Sequence, residues 1–239
     1  MASFFDKFLK GDARQPAIGP VKAEMPASDE GRAVLQNYLD ASARFGKGDS
    51  HLLPPLQVLE QSGLFAYHPI IQQLGGYVLD DADTSDHHIL ATSSPLIGSV
   101  LFLAHDGDTR FVFDSGSTFL AAVREAHERG IEVTDLHPDH SPLAKDQSAL
   151  GAFVRSLLDG QELNDVVVSL IPSLNLEDID LLRRLAQDED FFLGEAVGTE
   201  IERRPSPALL PIAELCAAHR HPQVARAGER AVRRIRQLG

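Results

Sequence analysis

Histidine and aspartate gather at four places in the chain: Asp80-Asp81-Ala82-Asp83, Asp86-His87-His88, His105-Asp106-Gly107-Asp108 and His137-Pro138-Asp139-His140. Imidazole nitrogens and carboxylate oxygens both donate lone pairs to a divalent ion, which in turn lowers the pKa of a bound water. The first chemistry to weigh is therefore metal-assisted hydrolysis of the phosphoesterase kind, with His105 and His140 as its most direct test positions. The spacing argues against it. No His-Glu-x-x-His helix occurs, and His105-Asp106 falls in an expected hairpin turn, where aspartates ordinarily bond nearby backbone groups. The expectation is that His137 and His140 are structural or solvated and share no metal, and that the chain has no catalytic, cofactor-binding or metal residues.

Other chemistries lack their patterns. Asp114-Ser115-Gly116-Ser117 sets two hydroxyls at a strand-to-helix junction, but no Gly-x-Ser-x-Gly elbow is present, and a helix cap at Ser117 or Thr118 accounts for the junction. There is neither a Walker loop nor a Gly-x-Gly-x-x-Gly turn, and Gly46-Lys47-Gly48-Asp49-Ser50 is a plain loop. The single cysteine, Cys216, lies in the apolar run Ala213–Ala217, which suits a buried helix position and offers no basic neighbourhood to activate a thiolate.

These residues must be positioned by a core, and 43% hydrophobic residues in a chain of 239 supply one. A net charge of -13, with 35 acidic against 22 basic side chains, disfavours the nucleic-acid backbone as a partner. The absence of tryptophan and the 6% aromatic content disfavour stacking on bases or sugars. No apolar run is long enough to span a bilayer and no secretory signal begins the chain, so a cytoplasmic location is expected. Arginine is concentrated at Arg220, Arg226, Arg230, Arg233, Arg234 and Arg236, expected as a solvated face pairing with acidic groups of the same protein.

Periodicity gives the elements. Phe4, Phe5, Phe8 and Leu9 fall on one side of a helix expected to pack on its own domain rather than anchor in a membrane, and a Pro/Gly-rich linker runs to Ser28. Ser28 caps a helix ending near Gly46, Pro54-Pro55 begins a second and His68-Pro69 a third. Four β-rich runs follow: Tyr77–Leu79, His88–Leu90, Val100–Leu103 and Phe111–Phe113, the last two joined by Asp106-Gly107 with its positive backbone torsions. A helix through Phe119 to Gly130, a strand at Ile131–Thr134 and a helix at Ser148–Leu158 come next. Beyond Gly160 the pattern is helical, ending in two antiparallel helices joined at His219–Pro222 that resemble a single HEAT repeat.

Gly75-Gly76-Tyr77-Val78-Leu79-Asp80-Asp81, Asp86-His87-His88, the run Ser94–Leu103 and His105-Asp106-Gly107-Asp108-Thr109-Arg110-Phe111-Val112-Phe113 together resemble the SUKH superfamily. Phe119-Leu120 and Ser148–Val154 are each similar to its late helix, while its tryptophan-containing stretch is missing. The likeness covers about residues 30 to 160. It implies an α+β domain that binds protein partners, many members being immunity proteins that neutralise toxins and others regulatory modules. An acidic inhibitor would suit a basic toxin domain.

The expected architecture is thus α+β, an antiparallel sheet with flanking helices. Its parts are an N-terminal helix and linker (1–28), a SUKH-like domain (29–160) and a helical C-terminal extension (161–239). The expected function is non-enzymatic protein binding, as a bacterial immunity protein or regulatory module, without cofactor. The rivals are a His/Asp-dependent metal hydrolase and a structural adaptor docking through its terminal helices.

Overall fold

A computed structural model describes residues 23–45, 51–81, 85–160 and 163–238. The helix expected at Phe4–Leu9, most of the linker after it, Gly46, Gly48, Ala82 and Asp83 lie outside the described residues. The chain divides into two compact units, Met1–Pro138 and Asp139–Gly239. The division falls ahead of the Ser148 helix, which the sequence reading grouped with the sheet.

Among the described residues of the first unit three helices precede the sheet. Helix α1 (Asp29–Ser42) starts where Ser28 Oγ accepts the N–H of Gly31 at 3.0 Å, satisfying one of the donors a helix start leaves over. Its Leu35 and Tyr38 are buried. Helix α2 (Pro55–Leu64) opens on a proline, whose missing N–H costs nothing at a first turn. Helix α3 (Pro69–Leu74) is capped by His68 Nδ1, 3.3 Å from the N–H of Ile70, and ends at Gly75, whose φ of 56° is the left-handed conformation glycine adopts without penalty.

Strands β1 (Tyr77–Val78), β2 (His87–Leu90), β3 (Val100–Leu103) and β4 (Arg110–Phe113) form an antiparallel meander in the order β1-β2-β3-β4. The fold class is α+β. All four residues of β2 are buried, as befits a strand packed on both faces. The register sets His88 opposite Phe102, and Phe102 opposite Arg110, so these side chains stand in a row on one face.

The β3–β4 connection differs from a tight turn. Six residues, 104–109, separate the strands, and Gly107 is not among the glycines of positive φ, which are Gly75, Gly98 and Gly130 among the described residues. Thr109 closes the loop instead, its Oγ1 accepting the N–H of Ala104 at 3.1 Å, while Asp86 accepts the N–H of His105 at 2.6 Å. Helix α4 (Gly116–Arg129) follows β4 directly. Its N-cap is Ser115, not Ser117 or Thr118: Ser115 Oγ accepts from the N–H of Thr118, whose hydroxyl in turn accepts from the N–H of Ser115. The strand expected at Ile131–Thr134 is a 3-10 turn over Val133–Leu136, because Asp135 accepts the N–H of Glu132 at 3.2 Å and curls the chain locally.

The second unit contains helices α5 (Gln147–Asp159), α6 (Asn164–Leu170), α7 (Ile179–Ala186), α8 (Phe191–Arg203), α9 (Leu210–Ala217) and α10 (Pro222–Arg236). Helices α8, α9 and α10 approach closely through small residues. A Cβ on Gly198 would lie 2.9 Å from Ala227 Cβ, and one on Gly228 only 2.2 Å from Ala217 N. Cys216 is buried at this contact, as its apolar run implies. The inner face of α10 is Val224, Ala227, Gly228, Ala231 and Ile235, whereas Val232 is half-buried and Leu238 lies 56% exposed. Arg230 pairs with Glu202 at 2.7 Å and Arg236 with Glu214 at 3.2 Å.

Candidate functional site

Across the sheet face that carries His88, Phe102 and Arg110, the 3-10 turn delivers His137. Nε2 of His137 lies 2.8 Å from Nε2 of His88. On its other side, His88 Nδ1 meets the carboxylate of Asp80, which also accepts the backbone N–H of His88 at 2.8 Å. Asp80 and His88 are both buried. The three side chains form a linear chain, Asp80 to His88 to His137, reaching from the end of β1 toward the surface.

The chain runs through an aromatic box. His88 lies 4.8 Å from Phe119 and 5.1 Å from Phe102 between ring centroids, and His137 meets Phe102 edge-on at 4.7 Å and Phe113 at 5.7 Å. Removing imidazole from water disfavours its charged form. Burial therefore draws the His137 pKa down to about 4, assisted by His88 and Arg110 and opposed by Asp80. At neutral pH His137 is uncharged, so one proton lies between the two Nε2 atoms. Arg110 holds the same segment from the sheet, donating from Nη2 to the carbonyl of Pro138 at 2.6 Å.

His137 also forms one wall of a surface depression of about 330 Å³. Phe102, Ala104 and the almost fully buried Val112 line it together with the charged side chains of Asp86, Asp106, Asp108 and Arg110. Asp106 and Asp108 are exposed on the β3–β4 loop, and Asp106 lies 3.0 Å from His105 Nδ1. None of the described residues lining the depression carries a hydroxyl or thiol. A concave site lined by three carboxylates beside Phe102 and Ala104 suits a group that is apolar along its length and cationic at its tip, such as a lysine or arginine side chain.

No known protein family, curated sequence or solved structure matches the chain.

The four His/Asp clusters thus separate. Asp80, His88 and His137 come together in the buried chain, and Asp86, Asp106 and Asp108 line the depression, with His105 bonded to Asp86 and Asp106. His87 turns to the opposite face, where its ring packs edge-on against Phe65 at 4.8 Å. Asp81 bonds back to the carbonyl of His51. Asp139 and His140 belong to the second unit. Among the described residues no three His, Cys, Asp or Glu side chains converge as a metal site. In the Asp80–His88–His137 chain, the lone pairs and protons face one another in series rather than a common point.

Sequence reasoning missed the Asp80–His88 pair and the part played by Arg110. Antiparallel register could have found the first: once Val78 lies opposite Ile89, Asp80 falls beside His87 and His88 across the β1–β2 connection. For His137, 49 residues beyond His88, the sequence carries no such signal.

Proposed function

We propose that this chain is a protein-binding module of the SUKH kind, acting in the cytoplasm as an immunity or regulatory protein without catalysis of its own. The depression at the β3–β4 loop carries this reading. Its three carboxylates beside Phe102 and Ala104 suit a basic side chain anchored on the surface of another protein, and the net charge of -13 favours rapid encounter with a basic partner such as a toxin domain. The placement of Phe119 and Leu120, buried in the helix that directly follows β4, supports the first of the two alignments to the SUKH late helix. Among the described residues no helix is long and apolar enough to cross a membrane.

The test is affinity purification of the full chain from the cells that encode it, beside the variant Asp106→Lys/Asp108→Lys. Both positions are exposed, and the melting temperature of each protein is measured beside its binding so that loss of fold and loss of affinity are told apart. A basic protein retained by the native chain and weakened at least about 10-fold against the variant supports the reading, since placing like charge at an anchor site costs on the order of 1.4 kcal/mol or more. A partner held equally by both would place recognition elsewhere.

A further inference from the structure

Leu56 (68%), Leu64 (60%), Tyr67 (65%) and Met25 (51%) are among the most exposed large apolar residues, and all lie on or beside helix α2. Leu56, Glu60 and Leu64 recur at every fourth position and so share a side of the helix, with Tyr67 in the turn beyond. Val58 and Ser62 on the other side are buried. One exposed leucine needs no explanation, but two on one side of a ten-residue helix, continued by Tyr67 in the turn beyond, make a surface that binding would cover.

The path of the chain indicates what covers it. The N–H of Ala23 donates to the carbonyl of Leu59 in the middle of α2, at 2.9 Å, and the Tyr77 hydroxyl donates to the carbonyl of Glu24. The residues before Ala23 are therefore tethered to this very helix. They include Phe4, Phe5, Phe8 and Leu9 at the spacing of a single apolar face, followed by the Gly/Pro-bearing stretch from Gly11. Lys7 and Lys10 interleave with that apolar set, while Glu24 and Glu60 stand exposed beside the α2 stripe. A tether of this length reaches any point of α2 and holds the segment at an effective concentration on the order of millimolar.

We propose that residues 4–9 of the same chain dock in cis on the Leu56–Leu64–Tyr67 stripe of α2. The contact sheathes the first unit's exposed apolar face with the apolar side of the chain's own N-terminal segment, and the lysines meet Glu24 and Glu60.

A spin label placed at Ala2→Cys in the full chain tests this. Cys216, the only other cysteine, is fully buried, so labelling is selective. In the ¹⁵N-labelled protein, amide signals of Leu56, Glu60, Leu64 and Tyr67 should fall below about half their intensity in the reduced control, because a millimolar tether keeps even a weak contact mostly formed. Phe4→Ser/Phe5→Ser/Phe8→Ser should restore them, as should Leu56→Asn/Leu64→Asn, which alters only exposed positions. Signals of α2 no weaker than exposed amides of α4 would overturn the proposal. So would attenuation in a mixture of spin-labelled, isotope-free chain with unlabelled ¹⁵N chain, which would make a second copy the occupant.

Discussion

Nε2 of His88 and Nε2 of His137 lie 2.8 Å apart, a separation that holds one proton and not two. Two protonated imidazoles would point N–H groups at each other, and of the two, among the described residues, it is His88 that has a carboxylate, Asp80, at its far side. The neutral form of His137 is thus built into the folded state. Its pKa lies at about 4 when folded and near 6.5 when unfolded, so between these values the unfolded chain binds the extra proton.

Stability should be at full strength above pH 6.5 and fall as pH drops toward 4, losing about 1–2 kcal/mol from this group once the half-exposed ring is discounted for solvent screening. Urea unfolding of the native chain and of His137→Gln at pH 7 and pH 4.5 checks it. Carboxylates contribute the same background to both proteins, so the native chain should lose more than the variant. Equal losses would show that His137 is not held neutral by the fold.

Helix α10 should reject a methyl group at its closest crossing. In an exposed helix Gly→Ala gains about 1 kcal/mol. At Gly228 the added Cβ would stand 2.2 Å from Ala217 N and 2.5 Å from Cys216 C, both backbone atoms that cannot swing aside. Gly228→Ala should therefore destabilise by roughly 1–3 kcal/mol, read as a lower melting temperature. An unchanged or raised value would mean that the helices separate freely.

Cys216 offers a probe of the same contact. Burial pushes its thiol up to about 12, so little thiolate forms at pH 8. A disulfide reagent in native buffer should modify it only as fast as the chain opens, and at the rate of a free thiol in denaturant. Rapid modification without denaturant would contradict a closed α8–α9–α10 contact.

How much of this was legible in the residues depends on the range of the interaction. Local rules worked: Ser28, Pro55 and His68 start helices where their side chains or missing N–H satisfy a helix start, and the four apolar runs are the four strands. The cap of α4 fell two residues earlier than expected, at Ser115, and two further local readings failed because a side chain outcompeted a backbone preference. Asp135 turned Ile131–Thr134 away from extended structure, and Thr109 closed the β3–β4 loop without the left-handed glycine that Asp106-Gly107 implied. The buried Asp80–His88–His137 chain was beyond local rules altogether, because it depends on register across β1 and β2 and on a turn that returns far along the sequence.

The β3–β4 loop has room for a side chain at Gly107. At Gly107 an added Cβ meets only Ala104 Cβ, at 3.4 Å, so Gly107→Ala should change stability by no more than about 0.5 kcal/mol. Gly130 closes α4 at a φ of 63°, and Gly130→Val should cost about 1–3 kcal/mol because a β-branched residue resists that conformation. Denaturation midpoints of the two variants should differ in that order, and the reverse order would restore the tight turn at Asp106-Gly107.

The sharpest energetic test lies at Glu200, which is 3% exposed on the inner side of α8. Its carboxylate accepts from Arg203 at 2.7 Å and from Arg204 at 3.0 Å. Arg204 in turn donates to the carbonyls of Leu174 at 2.6 Å and Pro172 at 3.2 Å, tying the end of α8 to the turn after α6. Truncating the glutamate leaves Arg204 facing backbone carbonyls without its anion, so Glu200→Ala should cost about 2–4 kcal/mol, part of it the penalty of an uncompensated charge. Replacing both partners removes that penalty. Glu200→Gln/Arg204→Met should therefore lose less than the sum of its single variants, by an interaction energy of about 1–3 kcal/mol in a double-mutant cycle. Additive losses would mean that the two side chains merely lie close, and that Arg204 is held by the carbonyls alone.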